Sequence, residues 1–233
     1  MIGTKQATMA AGYVLGGILI LSIPFPAIVT IDLATFLASA LLVMLIHAAT
    51  EVWTHDTTAP ATPLWRSIRN GVGYLREHKI ARPLVIMEII EHIPHGVWTG
   101  ALMLVFVERA LHGDATEWGY QNAAFFTGMF VGAVVASSAG HLLNRSAGWV
   151  IVINAFLSAL LTFVYAASPT NLFAVILAFS FGPPMALRDV AQDTLLQVTV
   201  ADRIRGRVYA IRNMFRNVMF LLAGLFFAWL ADF

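Results

Sequence analysis

A chain of 233 residues that is 59% hydrophobic and 12% charged, with a mean hydropathy of +0.77, is not an ordinary soluble domain. Soluble chains carry about a quarter charged residues, so this composition asks for a bilayer around it. The net charge of +1 gives no ground for a nucleic-acid partner, and the absence of cysteine removes disulfide and thiolate chemistry.

Asp, Glu, Lys and Arg are all missing from Ala7 to Ile31, from Trp118 to Asn144 and from Ser146 to Leu187. About 20 apolar residues cross a bilayer core. The third stretch is too long for one crossing and breaks at Ser168-Pro169-Thr170-Asn171, which predicts two helices and a tight turn. One large soluble helical core would need polar faces at helical period, and these segments are apolar nearly all round. The expected fold is therefore all-α, a polytopic transmembrane bundle of about seven segments. They run roughly over 7–23, 28–49, 82–107, 118–139, 148–167, 171–195 and 206–231.

The first segment follows Lys5 and resembles a signal peptide, but Pro24-Phe25-Pro26-Ala27 lacks the small residues of a cleavage site. It is expected to stay as a membrane segment, with Pro24 and Pro26 marking the first turn. The link from Thr50 to Ala81 is the one substantial loop. Its Trp65-Arg-Ser-Ile-Arg69 and Tyr74-Leu-Arg-Glu-His-Lys79 suit a short amphipathic helix on the membrane surface. Arg66, Arg69, Arg76, Lys79 and Arg82 lie there, Arg145 after the fourth segment, and Arg203, Arg205, Arg207 and Arg212 after the sixth. With Lys5, all of these fall on one side of the membrane if the segments alternate, and the positive-inside rule makes that side cytoplasmic. The opposite links hold only Arg109.

Segment three carries Met87-Glu-Ile-Ile-Glu-His-Ile-Pro-His-Gly-Val-Trp98, with two carboxylates and two imidazoles in an apolar run. Counted from Pro83 at 1.5 Å per residue, Glu91 lies about 12 Å and His95 about 18 Å along the helix. Glu88, Glu91, His92, His95 and Thr99 fall within an arc of roughly 100°. Pro94 and Gly96 predict a kink beside them. An ionisable group deep in a bilayer costs at least about 2.5 kcal/mol unless it is paired or faces water. Glu–His proton sharing would relieve that cost, which points to proton handling or substrate contact. Two readings stay open beside it: a membrane that begins near Ile93 and leaves both glutamates among headgroups, and a metal site, although Glu-x-x-Glu-His is not a known zinc pattern.

Segment six carries Arg188, Asp189, Gln192 and Asp193 after Gly182-Pro183-Pro184. Arg188 with Asp189 or Asp193 reads as a charge-compensated pair or as a gate that breaks and reforms. Gly128, Gly132, Ala136 and Gly140 repeat at four-residue spacing and predict a packing seam. Gln121, Asn122 and Asn154 are read as interhelical hydrogen bonds.

Several motifs then carry a resemblance. Gly12-Tyr-Val-Leu-Gly16-Gly17 resembles the antiporter element in the fifth helix of major facilitator superfamily transporters, with Tyr13 in place of proline. Asp32-Leu-Ala-Thr-Phe36 is similar to the start of their sixth helix. Gln197 through Arg205-Gly206-Arg207-Val208 is similar to the link between helices ten and eleven, and Gly140-His-Leu-Leu-Asn144-Arg145 is a degraded version of the loop after helix eight. The order and spacing most resemble the macrolide-efflux and enterobactin-exporter branch.

This resemblance implies a secondary transporter that exports an amphipathic drug-like or siderophore-like compound by alternating access with proton coupling. It needs no cofactor and sits multi-pass in a bacterial inner membrane. Segment three becomes the seventh helix, so Glu88, Glu91, His92 and His95 are expected at the coupling or substrate site. Arg188, Asp189, Asp193, Arg205 and Arg207 are expected at a gate, although Arg205 and Arg207 also suit headgroup contacts. Residues 1–49 would be the end of the N-terminal bundle (helices five and six), 50–81 would form a cytoplasmic linker, and 82–233 the C-terminal bundle without its last helix. Such transporters have twelve helices in two halves, so the chain is expected to be part of a longer transporter. The alternative is a membrane protein without transport activity, or a helical partner of another subunit.

Overall fold

A computed structural model describes residues 8, 11–12, 22–49, 64–98, 101–138 and 140–231, and the described residues contain no strand. Eight helices have described bounds: α1 Phe25–Ala49, α2 Leu64–Glu77, α3 Ala81–Trp98, α4 Ala101–Arg109, α5 Ala115–Ser138, α6 Gly140–Ala166, α7 Asn171–Thr199 and α8 Asp202–Ala231. The expected segment 7–23 lies almost entirely outside the described residues. The described residues of the third expected segment lie in α3 and α4, with Pro94 inside α3, and residues 99–100 are outside the described residues.

Four helices among the described residues are long and apolar enough to cross a membrane: Phe25–Leu45, Ser146–Ala166, Asn171–Thr199 and Asp202–Leu230. The 24-residue α5 is not among them. Its polar Gln121 and Asn122 lower the hydropathy, yet both are buried, so α5 hides its polarity against neighbouring helices. In α6, Ser146 leaves helical geometry at φ −125° and ψ 19°, and the apolar span begins there.

The closest packing joins α5 to α7. Pro183 removes the helical bond to the carbonyl of Phe179, and α5 comes close at that point. A Cβ on Gly128 would lie 2.2 Å from the Phe179 oxygen, and one on Gly132 would lie 2.6 Å from Pro183 Cα. From the other side, a Cβ on Gly182 would lie 2.3 Å from the Met129 nitrogen and 2.4 Å from the Gly128 carbonyl carbon. Glycine is needed at these positions because backbone meets backbone. Ala136 is buried further along the same stripe, while the surroundings of Gly140 lie outside the described residues. Gly182→Val is expected to cost about 3 kcal/mol, since no side chain can move aside. Gly224→Ala, with open space around its Cβ, is expected to be neutral or slightly stabilising. Thermal unfolding in detergent separates the two.

At the end of the bundle opposite the basic links, Tyr165 of α6 donates to the Gln121 side-chain oxygen of α5. Gln121 Nε2 donates to Asn171 Oδ1 at 3.4 Å, and Asn171 Nδ2 donates to the Leu111 carbonyl at 3.3 Å. One polar chain thus ties α5, α6, the start of α7 and the α4–α5 turn. In that turn the Gly113 N–H reaches back to the Val107 carbonyl at 2.9 Å, which places His112 at φ 54°. A left-handed backbone strains any residue with a Cβ, so His112→Gly is expected to raise stability by about 0.5–1 kcal/mol, read as a higher midpoint of unfolding.

α2 is amphipathic, as expected, and part of its apolar stripe packs against protein. Leu75 is buried with Val208 and Ile211 of α8, and Gly71 lies against the Ile211 side chain. Only part of this helix, such as the exposed Trp65, is left to meet the surroundings. α1 differs from all the others, because none of its span Phe25–Leu45 is buried.

Candidate functional site

α3, α7 and α8 meet along a column of charged groups, and the pairing fixes their directions. Glu88 of α3 faces Arg212 of α8 at 3.4 Å, and His92, four residues on, accepts from Arg216 Nε, four residues on, at 2.9 Å. Both partners advance together, so α3 and α8 run parallel. Along α7 the order reverses: Asp193 pairs with Arg212 at 2.6 Å, whereas Arg188 lies nearer Glu91 at 3.5 Å. These directions agree with the up-down alternation that the positions of Lys and Arg predict.

Glu88 is 2% exposed and Arg212 5% exposed, so this pair is a buried one. Arg212 also places its guanidinium over the Tyr209 ring, 4.5 Å from the centroid, and Tyr209 donates to the Asp193 carbonyl at 3.2 Å. One arginine therefore serves two carboxylates, which compensates its burial more fully than a single partner would.

Glu91 stands one turn deeper. Its Oε2 accepts from Gln192 Nε2 at 3.0 Å and faces Arg188 Nη1 at 3.5 Å. Arg188 is held from the other side by Asp189 at 2.8 Å. Glu91, His95 and Arg188 open on a cavity of about 290 Å³ between α3, α4, α5, α6 and α7. Its walls are mostly apolar, with Met103, Phe125, Phe181 and Met185. Asn122 and Ser158 add polar atoms: the Asn122 amide donates to the Trp118 carbonyl at 2.9 Å, and the Ser158 hydroxyl has no hydrogen-bond partner among the described residues. An apolar chamber with a few convergent polar groups is the usual form of a small-molecule site.

Where the spacing points to Glu–His proton sharing, both histidines turn Nδ1 toward a backbone carbonyl of α3. His92 Nδ1 lies 2.7 Å from the Glu88 carbonyl oxygen, and His95 Nδ1 lies 3.0 Å from that of Glu91. The carboxylates reach instead to guanidinium groups on α7 and α8, which offer full charges. Because a carbonyl only accepts and an arginine Nε–H only donates, His92 carries its hydrogen on Nδ1 and is neutral. The two imidazoles stack, with centroids 4.9 Å apart and planes at 8°. Of the two partners expected for Arg188, Asp189 pairs with it, while Arg212 takes Asp193.

Glu88 is enclosed by three helices and Glu91 lines the cavity. No group of three His, Asp or Glu suited to a metal is found among the described residues. Arg205 donates to the Gln197 carbonyl at 2.9 Å and the Val200 carbonyl at 3.3 Å, and pairs with Asp202. It therefore caps the end of α7 and braces the turn into α8. Arg207 is exposed beside α2. Of the antiporter-like element, Gly12 is described and has open space around it, whereas Gly16 and Gly17 lie outside the described residues, as does Thr99.

Arg216 was not singled out from the sequence, and Arg212 was counted only as a cytoplasmic charge. Their signal was available: Tyr209, Arg212 and Arg216 fall on one helical face, with Arg212 and Arg216 at the four-residue spacing that Glu88 and His92 repeat on α3. Asn154 is buried with both side-chain atoms unpartnered among the described residues, which the interhelical reading does not explain.

A multi-pass helical membrane protein with a charged, apolar-walled cavity is the class that this geometry defines. Three curated relatives from Bacillus subtilis (strain 168) agree with it. The chain is 28% identical over 210 residues to the uncharacterized MFS-type transporter YjbB, which covers 90% of this chain and 50% of that protein. It is 27% identical over 230 residues to the MFS-type transporter YfmI, covering 98% of this chain and 56% of the relative. It is 29% identical over 196 residues to the MFS-type transporter YvqJ, covering 81% and 44%. The chain thus spans about half the length of the relatives it matches, and it is similar to transporters of the major facilitator superfamily. No protein-family profile matches the chain, and no solved structure does.

Proposed function

We propose that this chain supplies the C-terminal part of a secondary transporter of the major facilitator type, in a bacterial cell membrane. It exports an amphipathic drug-like or siderophore-like compound by alternating access, driven by protons. The observation that carries this reading is the 290 Å³ cavity, whose apolar walls end on Glu91, His95 and Arg188. Apolar walls hold the hydrophobic part of a cargo, and the ionised end recognises its polar part or takes a proton in its place. Glu88, Glu91, His92 and His95 carry coupling or cargo contact in this reading. The Arg188, Asp189 and Asp193 pairings are the contacts that exchange as the helices rock. Residues 1–49 belong to the preceding half, and 50–81 link the two.

Everted membrane vesicles containing the protein test it. In acid-loaded vesicles, adding an amphipathic cargo is expected to release part of the proton gradient, read with a pH-sensitive dye. A gradient that no member of a panel of amphipathic drugs and siderophores disturbs, beyond vesicles without the protein, contradicts the proposal.

A second reading, a helical partner of another membrane subunit, draws on α1, whose apolar span is unburied on every side. Affinity purification distinguishes it: a stoichiometric second membrane protein supports the partner, and transport by the purified protein alone excludes the need for one.

A further inference from the structure

A second concavity lies on the other side of α3, between α2, α3 and α8, with a volume of about 450 Å³. Its floor is made of buried Leu75, Val85 and Ile211, and its flanks of Ile86 at 46% and Phe215 at 39% exposure. Arg76, in the last turn of α2, and Arg82, in the first turn of α3, stand along its edge. Both guanidinium groups are exposed, and neither has a hydrogen-bond or ion-pair partner among the described residues. This contrasts with Arg188, Arg205, Arg212 and Arg216, each of which is held by a named partner.

We infer that this groove binds an anionic phospholipid, with the phosphate between Arg76 and Arg82 and an acyl chain along Val85, Ile86, Ile89 and Phe215. The occupant must be acidic at one end and apolar along its length, because cations mark one edge and aliphatic side chains line the rest. The planar fork of arginine matches phosphate oxygens two at a time. The site lies where α3 leaves the basic link, on the side the positive-inside rule makes cytoplasmic, and anionic lipids face such basic pockets between helices. A peptide or a second copy of the chain has no comparable reason to meet two free guanidiniums beside an apolar slot. The inference is independent of the proposed transport cavity, which shares no lining residue with the groove.

Native mass spectrometry of the purified full chain in detergent tests it, with dioleoylphosphatidylglycerol against dioleoylphosphatidylcholine. Phosphatidylglycerol is expected to be retained about tenfold more tightly, at roughly one bound lipid. The double variant Arg76→Gln with Arg82→Gln is expected to lose that preference. Ile86→Trp, which fills the groove and leaves both arginines, is expected to weaken phosphatidylglycerol binding as well. Arg66→Gln, on α2 but outside the groove, is expected to bind as the wild type does. Equal retention of the two lipids overturns the inference, as does undiminished binding in either groove variant. Displacement of the lipid by millimolar glycerol 3-phosphate overturns it too, since that marks a phosphate site without an acyl-chain groove.

Discussion

Glu91→Gln is expected to abolish pH-driven export while leaving the protein folded. Glu91 lines the cavity and sits between Gln192 at 3.0 Å and Arg188 at 3.5 Å. A glutamine of the same shape can still accept from Gln192 through its carbonyl oxygen. Arg188 keeps Asp189 at 2.8 Å, so the substitution does not strand a buried cation. What glutamine cannot do is exchange a proton, and a coupled carrier needs a group that is charged in one state and neutral in another. The two readouts separate cause from collapse: unfolding of the variant should stay close to that of the wild type, while cargo-driven proton release disappears. Wild-type export with unchanged pH dependence in Glu91→Gln removes Glu91 from the coupling site.

Arg212→Gln is expected to be the most destabilising single substitution in the charged column, by about 3–5 kcal/mol. Arg212 compensates both Glu88 and Asp193, so its loss leaves the buried Glu88, 2% exposed, and the half-exposed Asp193 without their shared cation. The converse change is milder, because Glu88→Gln removes one carboxylate and leaves Arg212 with Asp193. Its expected cost is about 1–2 kcal/mol. Joining Glu88→Gln to Arg212→Gln is expected to recover part of the loss, since one of the stranded charges is then gone. Thermal unfolding of the three variants in detergent gives the comparison. Equal costs for Arg212→Gln and Glu88→Gln contradict the shared-arginine geometry.

Much of the helical layout was legible because apolar runs in a charge-poor chain leave few alternatives. Ser168-Pro169-Thr170-Asn171 was read as a turn, and α7 begins at Asn171 with Thr170 as its cap. The expected 206–231 begins four residues early, at Asp202, because an acidic first turn suits a helix start and Arg205 closes the gap to α7. Likewise, α1 starts at Phe25 and contains Pro26, since proline is tolerated in a first turn, where it lacks no needed bond.

The face of α3 was legible from spacing alone, but its partners were not. A helical arc says which residues share a side, not which neighbouring helix meets it. The partners come from residues 101 and 124 positions away in sequence for Glu91–Gln192 and His92–Arg216. The small-residue stripe of α5 was read as a seam, and the reason for it appears only in three dimensions, where Pro183 frees the carbonyl that Gly128 approaches. The groove at Arg76 and Arg82 was likewise invisible as a motif, because its walls come from three separate helices.

The cavity is the proposed cargo site, and the cysteine-free sequence makes a direct measurement practical. Ser158→Cys places a thiol on the cavity wall, and Ile153→Cys places one on the outer face of the same helix, α6. In vesicles, a compound that the protein transports is expected to slow maleimide labelling of Ser158→Cys and to leave Ile153→Cys unchanged. Labelling of Ser158→Cys that a transported compound does not alter contradicts the cavity as the cargo site.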